Sequence, residues 1–265
     1  MRYLIFATGP QGLGRRGGEL RQRLALLLSG EVRSRVEIYP CESYAELLGA
    51  VKRGTVSLAW LPPAIYVDAA EDGSAELLLR CLRRGAEGYR GVVFTTTSSP
   101  VRELRALAGR RMGWVDPASC SGHLYPRAAL AEAGFDVDAD LAEQCFLGSH
   151  AAVARAVAAG EVDAGATFVH VDDDDRVVTA GWDAVDPKGF RRLLTSDPVP
   201  SDTICATRSL PAELHDTVRQ VLSRLGEDEE SRDLLAGLFQ CVGFAPAAPD
   251  TYESVRRVRK RVQGE

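Results

Sequence analysis

The chain has 265 residues, a length that suits one large α/β domain or two domains of about 100 to 150 residues each. Its 32 basic and 37 acidic residues give a net charge of −5, which offers no general attraction to nucleic acid or to an anionic membrane, so a nucleic-acid partner is disfavoured. The six cysteines are widely spaced and form no CxxC pair, so neither a zinc site nor a disulfide scaffold is indicated.

The N-terminal segment is predicted to be a strand and not a secretory leader. Its apolar run reaches Gly9 and Pro10 almost at once, whereas a leader needs an apolar core of about 7 to 15 residues. No later segment approaches the ~18 apolar residues that span a bilayer, so we expect a soluble product. It would be cytoplasmic if Met1 is the natural start and periplasmic if a leader has been removed.

Strand-like and helix-like runs alternate along most of the chain, which is the pattern of a mainly parallel sheet covered by helices. The α/β class is therefore predicted. The predicted strands are 1–7, 36–39, 56–61, 77–82, 92–97, 111–115, 145–147, 162–171, 191–194 and 203–207. The predicted helices are 20–28, 44–53, 62–67, 102–107, 122–133, 150–159, 211–225, 234–239 and 251–262.

Two polar segments that contain proline are candidate boundaries between compact units. Ser98, Ser99 and Pro100 precede the helix near residue 102. The proline-rich segment 196–202 separates two predicted strands. We therefore predict that the chain passes from one compact unit to another near both points.

The most informative stretch is residues 116–126, DPASCSGHLYP, where a strand turns through small hydroxyl residues into a helix. The first N–H groups of a helix lack intrahelical acceptors and the helix dipole adds partial positive charge there, so a phosphate or carboxylate fits without an arginine. Ser119, Cys120 and Ser121 would add side-chain donors. From this segment alone, an ordinary serine N-cap is an equally good interpretation.

Three segments, in this order, resemble the phosphate, phosphite and phosphonate substrate-binding proteins of ABC importers. They are DPASCSGHLYPRAAL from Asp116, GSHAAVARAVAAGEVDAGA from Gly148 and SDPVPSDTICATRSLPAEL from Ser196. Weaker agreement extends through SYAELLGAVKRGTVSLAWLPPAIYV from Ser43 and GYRGVVFTTTSSPVREL from Gly88. The resemblance therefore covers nearly the whole chain.

This resemblance implies a two-lobed, type 2 periplasmic-binding-protein fold with the ligand cleft between two α/β lobes. Lobe 1 would consist of residues 1–97 and 198–265, and lobe 2 of residues 98–197. The implied function is that of a monomeric solute-binding protein for a small phosphorus oxyanion or organophosphonate, which closes around its ligand and performs no chemistry. Its implied protein partner is an ABC permease.

The family pattern also implies a set of ligand-binding residues. These are Tyr44 and Tyr89 at aromatic positions of the lobe facing the turn, Ser119, Cys120, Ser121 and Gly122 in the anion-holding turn, His150 at a helix start, and Asp202 as the acid that meets a ligand amine. The chemistry is consistent with this set, because hydroxyl and helix-start N–H groups bind oxyanions, an imidazole can donate, and a carboxylate favours an ammonium. Taken singly, tyrosines, helix-start histidines and turn aspartates more often have structural roles.

The chain departs from the family pattern at two places. Cys120 stands where the family usually has serine or threonine, and a thiol is a weaker donor than a hydroxyl. The family tends to place a polar or acidic group just after the VDAGA strand, whereas this chain has Phe168, Val169 and His170. The ligand contacts of this part of the site are therefore left open.

Two other classes of function remain open from the sequence. A cytosolic enzyme on the same fold would use Cys120 as nucleophile and His150 as base. A leaderless ligand sensor would pass its closure to a protein partner. No cofactor is predicted, and the four aspartates at 172–175 are expected to be a solvated loop and not a metal site, because consecutive acids on a loop repel one another.

Overall fold

The computed structural model describes residues 3–10, 14–83 and 88–264. Helices and strands alternate through this part of the chain, which confirms the predicted α/β class. The strands are β1 (Tyr3–Thr8), β2 (Arg35–Pro40), β3 (Leu58–Leu61), β4 (Ala75–Leu82), β5 (Gly88–Thr96), β6 (Arg111–Trp114), β7 (Glu143–Phe146), β8 (Ala164–Val171), β9 (Val177–Ala180), β10 (Phe190–Pro200), β11 (Thr203–Thr207) and β12 (Gly243–Ala245). The α-helices are α1 (Gly14–Val32), α2 (Tyr44–Arg53), α3 (Pro63–Glu71), α4 (Tyr125–Glu132), α5 (Val137–Asp140), α6 (His150–Ala159), α7 (His215–Arg224), α8 (Glu229–Phe239) and α9 (Glu253–Gln263). Short 3-10 helices lie at Leu104–Leu107, Ala212–Leu214 and Pro249–Tyr252.

The chain forms two compact units. Unit 1 consists of Met1–Glu87 and Ser201–Glu253, and unit 2 of Gly88–Pro200 and Ser254–Glu265. The sequence-based division assigned residues 88–97 to the first lobe. In the structure this segment is β5, which pairs with β8 and β10 inside unit 2.

Unit 1 contains a mixed sheet with the strand order β12-β4-β11-β3-β1-β2. Strand β1 runs parallel to its neighbours β2 and β3, whereas β11 runs antiparallel to β3 and β4. The carboxyl ends of β1, β2 and β3 therefore lie at the same edge of the sheet. Open α/β sheets bind their ligands outside this edge.

One face of the unit 1 sheet is covered by helices α1, α7 and α8. Leu20, Leu24 and Leu28 recur along α1 at helical spacing and join the same buried cluster as Phe6 and Phe239. The rings of Phe6 and Phe239 are stacked, with their centroids 5.9 Å apart. The leucine pattern predicted the helix, and this packing explains why it is stable.

Unit 2 contains a second sheet with the order β10-β5-β8-β6-β7, and β9 pairs with β8. Side chains of β5 alternate between two buried clusters: Val92 and Phe94 pack with Trp182, whereas Val93 packs with Leu130. Both faces of this sheet are therefore buried, as expected for strands with continuous apolar runs.

Two helices begin and end at the residues that the sequence predicts. Ser43 and Ser149 precede α2 and α6, and each hydroxyl accepts a hydrogen bond from the backbone N–H three residues on, at 3.1 and 3.2 Å. Gly54 and Gly160 follow these helices with φ of 65° and 72°, in the left-handed region that glycine tolerates. The predicted bounds 44–53 and 150–159 are confirmed.

The proline-rich segment before β11 is a strand for most of its length. It forms the second half of β10, whose pairing with β5 shifts between Arg192 and Leu194 and again between Thr195 and Pro198. Strand β10 lies at the edge of its sheet and has a neighbour on one side only. A proline is tolerated there, because its missing N–H can face the side without a neighbouring strand. Pairing with β5 therefore extends β10 through the prolines, although the local sequence predicts a break there.

Within residues 3–10, 14–83 and 88–264, every helix is too short or too polar to cross a membrane.

We expect Tyr252→Phe to lower the free energy of unfolding by about 1 to 2 kcal/mol. Tyr252 is fully buried, its ring packs edge-on to Tyr66 with centroids 4.8 Å apart, and its hydroxyl donates to the Ser201 carbonyl at 2.9 Å. The change keeps the ring and leaves a buried carbonyl unpaired. Urea denaturation measures the difference, with Tyr39→Phe as the control, since that hydroxyl is exposed and donates to Glu46. If both variants lose the same free energy of unfolding, the buried Tyr252 hydrogen bond does not stabilise the fold more than the exposed one of Tyr39.

Candidate functional site

The strand-to-helix turn after β6 is held by its own hydrogen bonds. The Ser119 hydroxyl accepts from the backbone N–H of Gly122 at 3.1 Å, and the Gly122 carbonyl accepts from the N–H of Val115 at 3.1 Å. The chain then forms a π-helical turn, Cys120–Leu124, that continues directly into α4. The sequence predicted a helix start at residue 122, but helical backbone begins at Cys120, so Cys120 and Ser121 both lie in the first turn.

The turn is buried and tightly packed. Ser119, Cys120 and Ser121 are 5%, 2% and 3% exposed. A Cβ atom on Gly122 would lie 2.3 Å from Cγ2 of Val115 and 2.9 Å from the Ser119 hydroxyl, so only glycine fits between them. This contact fixes the backbone of the turn against the end of β6.

The turn offers neutral donors for an anion. The donors are the serine hydroxyls and the helix-start N–H groups other than that of Gly122, which already donates to Ser119. The helix dipole adds partial positive charge. The nearby Asp116 carboxylate is turned into its own loop, where it accepts from the N–H of Ala118 at 2.8 Å. The arrangement therefore suits a small oxyanion.

His123 lies within the same turn and has a structural role. Its Nδ1 atom lies 3.0 Å from the Pro117 carbonyl, and its ring packs edge-on against Trp114 and Phe146 at 5.3 and 5.1 Å. Burial lowers the pKa of His123, with the Pro117 hydrogen bond acting in the opposite direction. The neutral imidazole therefore donates to the carbonyl and holds the turn in place.

His150 begins helix α6 and is held by β8. Its Nδ1 atom lies 2.8 Å from the Thr167 hydroxyl. Burial lowers the pKa of His150 to about 4, so the ring is neutral at pH 7. A neutral imidazole carries a single N–H, on Nδ1 or on Nε2, and the contact with Thr167 is compatible with either.

A row of four rings connects two of the predicted site residues in unit 2. Ring centroids are 6.0 Å apart between Tyr89 and His170, 5.7 Å between His170 and Phe168, and 5.0 Å between Phe168 and His150. Phe168 and His170 are the β8 residues at which the sequence departs from the family pattern. Their rings therefore pack in a row with those of Tyr89 and His150.

Tyr44 lies in unit 1, as the first residue of α2. It is half-buried, and its ring contacts the loop that follows β1. A Cβ atom on Gly9 would lie 3.1 Å from Cε1 of Tyr44 and 3.1 Å from Cζ3 of Trp60. Two aromatic rings therefore meet the backbone at the carboxyl end of β1.

Asp202 lies in unit 1 immediately before β11 and is 5% exposed. Its carboxylate accepts from the Arg83 guanidinium, and the two side chains are 7% and 9% exposed. The carbonyl of Asp202 accepts from the N–H of Cys81 at 2.8 Å. The acid is thus held in a buried ion pair within its own unit.

The predicted residues fall in both units. Tyr44 and Asp202 belong to unit 1, and the other predicted residues belong to unit 2. Sequence reasoning missed Thr167, the partner of His150, and Arg83, the partner of Asp202. Arg83 carries no local signal, because its partner is 119 residues away along the chain.

The aspartate run at 172–175 is a surface turn. The Asp172 carboxylate accepts from two backbone N–H groups of the same loop at 3.0 and 2.8 Å. Asp174 and Asp175 pair with Arg176 and Arg192 at 3.1 and 3.2 Å. Among the residues that the structure describes, no three His, Cys, Asp or Glu side chains are arranged to hold a metal ion.

Two α/β units and a buried, serine-containing turn at a helix start are features of a solute-binding protein. Comparison with known families agrees: residues 6–252 match the family described as "ABC transporter, phosphonate, periplasmic substrate-binding protein". The chain belongs to this family. The enzyme alternative gains no support, since the family is a transporter component and His150 Nδ1 is engaged by Thr167.

One curated relative is the phosphate-import protein PhnD of Mycolicibacterium smegmatis, which is 27% identical over 212 residues. The match covers 76% of this chain and 65% of that protein, which is less than two thirds of its length.

Two solved structures show the same fold. A binding-protein component of an ABC phosphonate transporter from Pseudomonas aeruginosa superposes with a TM-score of 0.83 at 19% identity, covering 99% of this chain and 87% of that one. PhnD1 from Prochlorococcus marinus, in complex with methylphosphonate, gives a TM-score of 0.80 at 16% identity, covering 99% and 98%. At these identities the similarity establishes the periplasmic-binding-protein-like fold alone.

We expect Gly122→Ala to lower the free energy of unfolding by about 1 to 3 kcal/mol, because the new methyl group overlaps Val115. Gly30→Ala is the matched control: Gly30 lies in α1, a Cβ there meets nothing within 4 Å, and the change should stabilise by roughly 0.5 to 1 kcal/mol. Urea denaturation of both variants measures the contrast. Two variants of equal stability would show that the turn does not need glycine.

The pKa of His150 predicts a pH-dependent stability. The folded-state pKa of about 4 lies below the ordinary value of 6.5, so the unfolded chain binds the proton first as the pH falls. Stability is therefore lost between pH 6.5 and 4, by up to about 3 kcal/mol for this group. Denaturant unfolding across this range should give a shallower loss in His150→Gln than in the parent. Parallel curves would mean that His150 titrates normally.

Proposed function

We propose that this chain binds a small phosphorus oxyanion or organophosphonate and delivers it to an ABC permease. The observation behind the proposal is the buried turn at Ser119–Gly122, a helix start that carries two serine hydroxyls. Membership of the phosphonate-binding family supports the same class of ligand. No chemical step is needed, because binding alone serves an importer.

Neutral donors can stabilise a charged oxyanion in a buried site. Backbone N–H and hydroxyl groups hydrogen-bond a charged oxygen without a counter-cation, and such bonds are stronger than neutral ones. His150 adds a neutral donor, since its pKa of about 4 keeps it uncharged at pH 7. Cys120 contributes a weaker donor than the serine or threonine of the family pattern.

The buried pair of Asp202 and Arg83 further narrows the proposed ligand. A carboxylate that is already paired with a guanidinium gains little from an additional ammonium. In unit 2, the residues that follow the VDAGA segment, where the family tends to place a polar or acidic group, are Phe168, Val169 and His170. We therefore favour ligands without an amine, such as phosphate, phosphite and methylphosphonate, over 2-aminoethylphosphonate.

The site of action and the assembly state follow from the same proposal. The family is periplasmic, so we propose that the mature protein works outside the inner membrane. We propose a monomer, because a single chain carries both α/β units. Its protein partner would be the permease of an ABC importer.

Titration calorimetry with phosphate, phosphite, methylphosphonate and 2-aminoethylphosphonate tests the proposal. We expect at least one of the first three to bind, and 2-aminoethylphosphonate to bind no more tightly than methylphosphonate. Changing Ser119 and Ser121 together to alanine removes two hydroxyl donors and should weaken binding by about 10-fold or more. Ser223→Ala, on an exposed face of α7, should leave the affinity unchanged.

The outcomes separate the parts of the proposal. No heat with any of the four ligands would refute the ligand class. Binding that is insensitive to the double serine change would remove the turn from the site. Tenfold tighter binding of 2-aminoethylphosphonate than of methylphosphonate would refute only the argument from the Asp202 ion pair.

A further inference from the structure

Two buried polar groups in unit 1 have no hydrogen-bond partner among the described residues. They are the hydroxyl of Thr8, whose residue is 0% exposed, and the indole nitrogen of Trp60. Neither residue was a candidate from the sequence. A buried donor without a partner destabilises a folded protein, so each such group calls for an explanation.

The two groups lie side by side at the end of neighbouring strands. Strands β1 and β3 are parallel, with Phe6 opposite Leu58 and Ala7 opposite Ala59, so the register continued by one residue sets Thr8 beside Trp60. Alternation along each strand puts both on the face that carries Phe6 and Leu58. The two groups do not bond each other, because each would then have a partner.

The surroundings of this pair are apolar and aromatic. The Trp60 ring packs against Phe239, with centroids 6.4 Å apart. The rings of Trp60 and Tyr44 both lie close to the backbone of Gly9, the residue after Thr8. This is the carboxyl edge of the parallel strands, where open α/β sheets bind ligands.

The chemistry of the pair selects the kind of occupant. An indole N–H is a donor only, so its partner must present an acceptor atom. A threonine hydroxyl can donate to the same atom or to a neighbouring oxygen of one group. A cation has no acceptor, whereas an oxyanion has several.

We propose that the Trp60 N–H and the Thr8 hydroxyl donate hydrogen bonds to a bound oxyanion at the carboxyl edge of β1 and β3. The ligand class is taken from the proposed function, and the inference rests on it. The two donors are specificity-determining residues, held in place by strand pairing and by the contact with Phe239. Without a ligand, the two unpaired donors lower the stability of unit 1. A ligand that accepts their hydrogen bonds removes this cost, which favours binding.

Two isosteric variants test the inference. Trp60→Phe removes the N–H and keeps an aromatic ring, and Thr8→Val removes the hydroxyl and keeps the shape. With methylphosphonate and inorganic phosphate as probes in calorimetry, we expect Trp60→Phe to weaken binding by about 10-fold or more and Thr8→Val by roughly 5-fold. The ligand-free melting temperature should rise by about 2 °C in Thr8→Val, because an unpaired buried hydroxyl is removed.

Thr207→Val is the matched control. Thr207 is also buried in unit 1, but its hydroxyl donates to the Val56 carbonyl, so the change should lower the melting temperature and leave ligand affinity unaltered. If the parent binds a probe and both test variants bind it equally well, the two donors serve only a buried water and the inference is wrong. A lower melting temperature in Thr8→Val would also overturn it. A parent that binds neither probe refutes the proposed function instead, and this inference with it.

Discussion

Burial of both faces of the unit 2 sheet is the constraint on which the site depends. Val92, Val93 and Phe94 of β5 are each 0% exposed, so apolar side chains fill the space above and below the strands. Polar groups can then meet a ligand only where strands end and helices begin. The turn after β6 and the start of α6 lie at such points.

Charged groups among and beside the predicted ligand-binding residues are compensated within their own units. Asp202 is paired with Arg83, Asp116 accepts hydrogen bonds from its own loop, and His150 is uncharged at neutral pH. The donors proposed for an anion are therefore neutral. Such donors discriminate by number and position of oxygens more than by net charge, which suits the recognition of small tetrahedral oxyanions.

Gly122 allows the Ser119–Gly122 turn to pack closely against the end of β6. The absence of a side chain allows the turn to lie against Val115, and the same contact aligns the Ser119 hydroxyl with the Gly122 N–H. The π-helical backbone from Cys120 to Leu124 then widens the first turn of the helix. Such π-helical turns occur frequently at functional sites, and this one contains the donors that we propose for an anion.

The sequence alone determined the α/β class, the bounds of α2 and α6, the family, and the presence of a strand-to-helix turn after β6. It could do so because capping residues, apolar periodicity and the order of motifs are local signals. Only tertiary structure decided that β5 pairs within unit 2, that β10 continues through its prolines, and that Arg83 neutralises Asp202. It also showed that Thr8 and Trp60 are neighbours. These facts depend on pairing between residues far apart in the chain, and no local pattern records which distant group will lie beside a given side chain.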